Sequence, residues 1–61
     1  MIRYHWRVIY REENEYKGVI GTSKYDTWDE ANRIACRYNQ HFCYHNGHFE
    51  VCAFNLKGYM L

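Results

Sequence analysis

The sequence has no proline and only four glycines in 61 residues. No proline-rich linker, low-complexity segment or internal repeat divides it, so residues 1–61 read as a single domain. Long apolar runs are also missing. Nothing approaches the roughly 20 consecutive apolar residues that a membrane-spanning helix requires, and no membrane partner is expected. Charge of one sign is lacking too: eight Lys/Arg stand against seven Asp/Glu, a net +1. Gross charge therefore attracts neither nucleic acid nor an acidic lipid surface. The opening Met1-Ile2-Arg3-Tyr4-His5-Trp6 has no apolar core of the signal-peptide kind, which points to the cytoplasm. Three cysteines, an odd number, then read as reduced thiols and not as a disulfide framework.

Aromatic residues are plentiful. They make up 20% of the chain, with seven tyrosines among them. Tyr and Trp combine a large contact area with a polar handle, which suits both a small core and a protein interface. A chain of this length buries only about 60% of the surface its unfolded form exposes. Such domains often lean on a disulfide, a metal, a second subunit or a partner.

Residues 2–11 alternate in polarity. Ile2, Tyr4, Trp6, Val8 and Tyr10 fall on one side; Arg3, His5, Arg7, Ile9 and Arg11 fall on the other. Period two predicts a half-buried strand with the aromatic row inward. The polar stretch 12–16 predicts a loop, and Tyr16 to Tyr25 a second strand in which Gly18 and Gly21 suggest a bulge or bend. Thr27-Trp28-Asp29-Glu30 matches a helix capping box, with two acidic residues at the positive end of the helix dipole. Trp28, Ala31, Ile34, Ala35 and Tyr38 then form one helical stripe, and the helix should end between Asn39 and His41. Cys36 on that helix is expected to be partly buried.

Asn46-Gly47 is the favoured dipeptide of a two-residue type I′ turn. A hairpin there pairs His45 with His48, Tyr44 with Phe49, Cys43 with Glu50, Phe42 with Val51 and His41 with Cys52. The segment 41–45 is alternatively only a stub after the helix. Lys57-Gly58 breaks the pattern ahead of Tyr59-Met60-Leu61. The predicted fold class is α+β: a three- to four-stranded antiparallel sheet with one helix on one face, ordered β-β-α-β or β-β-α-β-β.

Three constellations are candidates for chemistry. Cys43, His45, His48 and Cys52 offer thiolate and imidazole ligands on one hairpin face. Their spacing matches no common zinc template and adjacent strand residues splay, so no metal or other cofactor is expected and zinc stays an alternative. A Cys/His nucleophile would need a pocket, an orienting group and an oxyanion site that 61 residues hardly accommodate; no catalytic residue is assigned and no enzyme is expected. The row Arg3, His5, Arg7 and Arg11 on the outer sheet face, and Arg33 and Arg37 with Asp29 and Gln40 on the polar side of the helix, are the candidate binding residues.

Residues 21–31, Gly21-Thr22-Ser23-Lys24-Tyr25-Asp26-Thr27-Trp28-Asp29-Glu30-Ala31, are similar to the strand-to-helix passage of small sheet-plus-helix DNA-binding domains of the integrase-arm kind. Those families place three strands before the helix, where two are expected here. The expected function is that of a small non-enzymatic binding protein, of the type by which a phage or mobile element inhibits a host (including a defence) protein. It would dock through the outer sheet face or an edge strand. A nucleic-acid-binding module using the basic outer face is the alternative, a zinc-stabilised domain the next, and a homodimer is compatible with each.

Overall fold

A strand whose side chains alternate between apolar and polar gives a sheet two different faces, and the first strand of this chain organises both. In the computed structural model, which describes residues 4–42 and 46–61, β1 (Tyr4–Glu12) is the central strand. It pairs antiparallel with β2 (Glu15–Val19) on one side and with β3 (Gly47–Asn55) on the other. Between β2 and β3 the chain forms α1 (Trp28–His41), giving the order β-β-α-β and the sheet order β2-β1-β3. The α+β reading, with three antiparallel strands and one packed helix, is the observed fold. Two strands precede the helix, unlike the three of the integrase-arm type.

The turn chemistry differs from expectation. Glu13 and Asn14 both take positive φ, 53° and 68°, as the two central residues of a type I′ turn must. The tight hairpin therefore joins β1 to β2. Glu-Asn is not the dipeptide that signals such a turn, and a non-local contact supports it: the Glu13 amide donates to the Asn46 carbonyl at 2.8 Å. Gly47, in contrast, lacks the positive φ that type I′ geometry demands. It starts β3 opposite Glu12, and its missing side chain makes room for Tyr10. A Cβ built on Gly47 would collide with the Tyr10 hydroxyl. The hairpin expected around Asn46-Gly47 thus gives way to β1–β3 pairing along all nine residues of β3. His41 belongs to α1 and Phe42 caps it, so neither pairs with β3 as that hairpin required. Cys43, Tyr44 and His45 lie outside the described residues.

The second strand is shorter than predicted. A bulge places Lys17 as the extra residue between the pairs Tyr10–Gly18 and Arg11–Tyr16, and Gly18 supplies φ 143° beside it. Beyond Val19 the chain still touches β1, through the Ile20 amide to the Val8 carbonyl (2.9 Å) and through mutual bonds between Trp6 and Tyr25 (2.8 and 2.9 Å). Residues 21–24 bow away between those contacts.

Helix α1 begins as the capping box predicts. Thr27 is extended, and its Oγ1 accepts from the Glu30 amide at 3.3 Å. The Glu30 carboxylate accepts from the Thr27 hydroxyl at 3.2 Å, where the box motif would send it to the Thr27 amide. Ala31 and Ala35 are buried, small enough to bring the helix axis close to the sheet. Val8, Ala35 and Phe49 form the core beneath it, flanked by Tyr10, Ile20, Tyr25, Ile34, Tyr38 and Val51. Two members of the predicted scheme stand elsewhere: Trp28 is 48% exposed, and Cys36 is exposed. Both sit where the helix overhangs, Trp28 at its first residue and Cys36 away from the Ala31/Ala35 stripe.

Both sheet edges are guarded. On β3, the Asn39 side chain of α1 accepts from the Phe49 amide (2.8 Å) and donates to its carbonyl (3.1 Å), as a neighbouring strand would. Further along, the Leu61 amide reaches the Ala53 carbonyl and the Asn55 amide the Tyr59 carbonyl. Asn55 Oδ1 shapes that return by accepting from the Lys57 and Tyr59 amides. The β2 edge is short, bulged and carries Lys17, three devices that blunt strand-to-strand addition.

Candidate interaction surfaces

The register assigns each candidate side chain to a face. His5, Arg7, Ile9 and Arg11 of β1 lie opposite Phe54, Cys52, Glu50 and His48 of β3, all on the side away from α1. This outer face is not the solvated row that alternation suggested. Ile9 has no exposed surface at all, and His5 and Phe54 are 6% and 4% exposed. Ile9 sits between Arg7 and Arg11 along its own strand and between Val19 and Glu50 across it. His5 stacks on Phe54, with ring centroids 6.5 Å apart and planes 11° from parallel. A second, smaller core lies here. Its sequence signals are Ile9, the single aliphatic residue in the polar row of β1, and Phe54, two residues beyond Cys52 in the polar row of β3.

Arg7, Arg11 and His48 of this face are bonded within the protein. Arg11 Nε donates to Glu50 Oε2 at 2.6 Å, and His48 Nε2 meets Glu50 Oε1 at 2.7 Å. Held first by His48 and also by Arg11, the Glu50 carboxyl lies below its usual pKa, while the bond to Glu50 raises that of Arg11. The guanidinium of Arg7 donates to the Gly21 carbonyl at 2.8 Å, where the chain bows away from β1. Arg7 Nε and His5 Nε2 are buried without a hydrogen-bond partner. Burial, reinforced by the charges of Lys24 and Arg7, pushes the His5 imidazole below its usual value. Arg3 lies outside the described residues.

These groups do not assemble a nucleophile or a metal centre among the described residues. Cys52 is four residues along β3 from His48, about 13 Å at strand spacing, and the His48 Nε2 is taken by Glu50. No group of three or more potential metal ligands occurs among the described residues. Of the proposed zinc set, Cys43 and His45 lie outside them. No helix among the described residues is long and apolar enough to cross a membrane.

Helix α1 presents a different kind of surface. At 100° per residue, Asp29, Arg33, Cys36, Arg37 and Gln40 lie on the side opposite Ala31 and Ala35, and all five are exposed. Neither Arg33 nor Arg37 makes a hydrogen bond or ion pair with another described residue. Asp29 precedes Arg33 by four residues, the favoured spacing and order for a helical ion pair, yet the two are not bonded. Arg33 and Arg37 are themselves four apart, a like-charge pairing that costs a helix about 0.2–0.5 kcal/mol. Trp28 is exposed at the start of the same helix.

The aromatic residues missed as a group sit at the other end of α1. Tyr38 and Phe49 centroids are 5.3 Å apart, Tyr10 and Phe49 5.2 Å, and Phe42 and Phe49 6.2 Å. Two adjoining depressions of about 370 and 340 Å³ share Ile20 and Phe49 as walls. The sequence placed Tyr10, Tyr38 and Phe49 on inward faces but gave no sign that they would cluster.

No family model matches the chain, and no curated protein or solved structure matches it.

Proposed function

We propose that this chain is a small non-enzymatic binding domain whose partner is a protein, and that it docks through the exposed face of α1. The carrying observation is the contrast in how cations are used. Arg7 and Arg11 of the sheet are engaged internally, whereas Arg33 and Arg37 are exposed and unengaged among the described residues. Arginine supplies a large share of binding energy at protein interfaces, and both arginines project from the exposed side of a helix with a capped N-terminus.

In its finer form the reading is an inhibitor carried by a phage or mobile element, acting in the cytoplasm on a host (including a defence) protein. What supports this is the small fold, whose candidate side chains form no catalytic group among the described residues. The test is capture from the native host, with mass spectrometry of protein and nucleic acid. A protein partner lost on Arg33→Ala/Arg37→Ala, and kept on Arg7→Ala, supports the reading. Loss on Arg7→Ala alone, with the fold intact, returns the site to the sheet. Retention on nucleic acid with steep salt dependence would favour the alternative module instead.

A further inference from the structure

We infer that the partner surface facing α1 is an acidic protein surface presenting two carboxylates about one helical turn apart, received by Arg33 and Arg37; this rests on the reading of α1 as the docking face. Residues four apart on a helix have side chains about 5–6 Å apart at Cβ. The two guanidiniums are therefore spaced to meet carboxylates that are themselves four apart on a partner helix, or opposite one another on adjacent strands. Arginine's planar fork takes a carboxylate through two parallel bonds. Among the described residues no carboxylate fills that role. Asp29 is unbonded to Arg33, and the Glu30 carboxylate is held by the Thr27 hydroxyl.

The same helix decides between protein and nucleic acid. Asp29 and Glu30 of its first turn offset Arg33 and Arg37, so α1 is neutral overall, with its acids in the first turn and its arginines beyond it. A polyanion meets repulsion from the first turn, and two phosphate contacts would give a salt slope of only about −2. A protein surface can set carboxylates against Arg33 and Arg37 and a base against Asp29. The exposed Gln40 and Cys36 border the arginines with side chains that add no charge of either sign to the footprint.

The test uses the whole chain, isotopically labelled, titrated at low salt with three probes while amide shifts are followed. One is a synthetic helical peptide with glutamates four apart; the second is its glutamine counterpart; the third is a duplex oligonucleotide of equal charge. The expected result is shift changes confined to Arg33, Cys36, Arg37, Gln40 and their neighbours with the glutamate peptide alone. Arg33→Gln/Arg37→Gln should weaken that binding about tenfold with an otherwise unchanged spectrum. No response on α1, equal binding of the double variant, or tighter binding of the oligonucleotide overturns the inference. A host protein that still binds the double variant overturns it while leaving the protein-binding reading standing; a chain that binds no host protein overturns both.

Discussion

The two faces of the sheet solve the same burial problem by different means. The covered face is closed by a helix: Val8, Phe49 and Val51 pack beneath Ala35, Ile34 and Tyr38. Among the described residues no element of secondary structure lies over the outer face, yet Ile9, His5 and Phe54 are as well buried there. Long side chains close it instead, with Arg7 tied to Gly21 and Arg11 tied to Glu50. The arginine stem covers apolar surface while its head keeps a polar partner. A row of arginines on a small sheet is therefore not by itself a binding surface. In this chain it is a roof, and the arginines of the helix, which roof nothing, are the ones left for a partner.

Removing the anchor of each face tests whether both are cores. Phe49→Ala should have the largest effect, about 3–5 kcal/mol for a buried aromatic, enough to unfold much of a domain this small when followed by thermal or urea denaturation. Ile9→Ala should cost about 2–4 kcal/mol, close behind. If it instead costs under about 0.5 kcal/mol, as surface substitutions do, the outer face is no second core and the comparison fails.

How much of this was legible depends on how local each signal is. The strand β1, the helix α1 and its Thr27 cap could be read because period two, period 3.6 and a capping box each lie within a dozen residues. The sorting of Phe49 and Val51 from His48, Glu50 and Cys52 followed from the same alternation. The pairing partner of β3 did not. Asn46-Gly47 favours a local hairpin, and only the long-range ladder with β1, the Asn39 clamp on Phe49 and the room Gly47 leaves for Tyr10 override it. Likewise the Glu13-Asn14 turn depends on an amide bond to Asn46, 33 residues away in sequence. The candidate arginines were all named from the sequence. Which are engaged was not readable, because Arg7 meets a backbone carbonyl and Arg11 a carboxylate from β3.

The His5–Phe54 stack gives the outer face a pH dependence that the covered face lacks. Burial lowers the folded-state pKa of His5 below the ordinary 6.5, so the unfolded chain binds more protons in the window just below that value. Stability contributed by neutral His5 is thus present above about pH 6.5 and lost as pH falls toward the folded value. His5→Phe keeps a flat ring against Phe54 and removes the unpartnered Nε2. The variant should lose less melting temperature than the wild type between pH 7.5 and 5.5. Parallel losses would mean that the imidazole is not held neutral by its surroundings.

The smallest of these effects separates the roof from the apolar residues beneath it. Glu50 joins Arg11 and His48, and its folded-state pKa lies below the usual 4.5. Its contribution is therefore present above about pH 4.5 and lost as pH falls through the lower folded value. Its side chain is 41% exposed, so solvent screens the pair. Glu50→Gln, equal in shape, should cost no more than about 1 kcal/mol at neutral pH. The difference from wild type should shrink in high salt and close once Glu50 is protonated, whereas the cost of Ile9→Ala should survive both changes. If the two variants respond alike to salt and acid, the outer face is held by charge alone. Opposite responses show that the ion pairs position the arginine stems and that burial of Ile9 and Phe54 carries the stability.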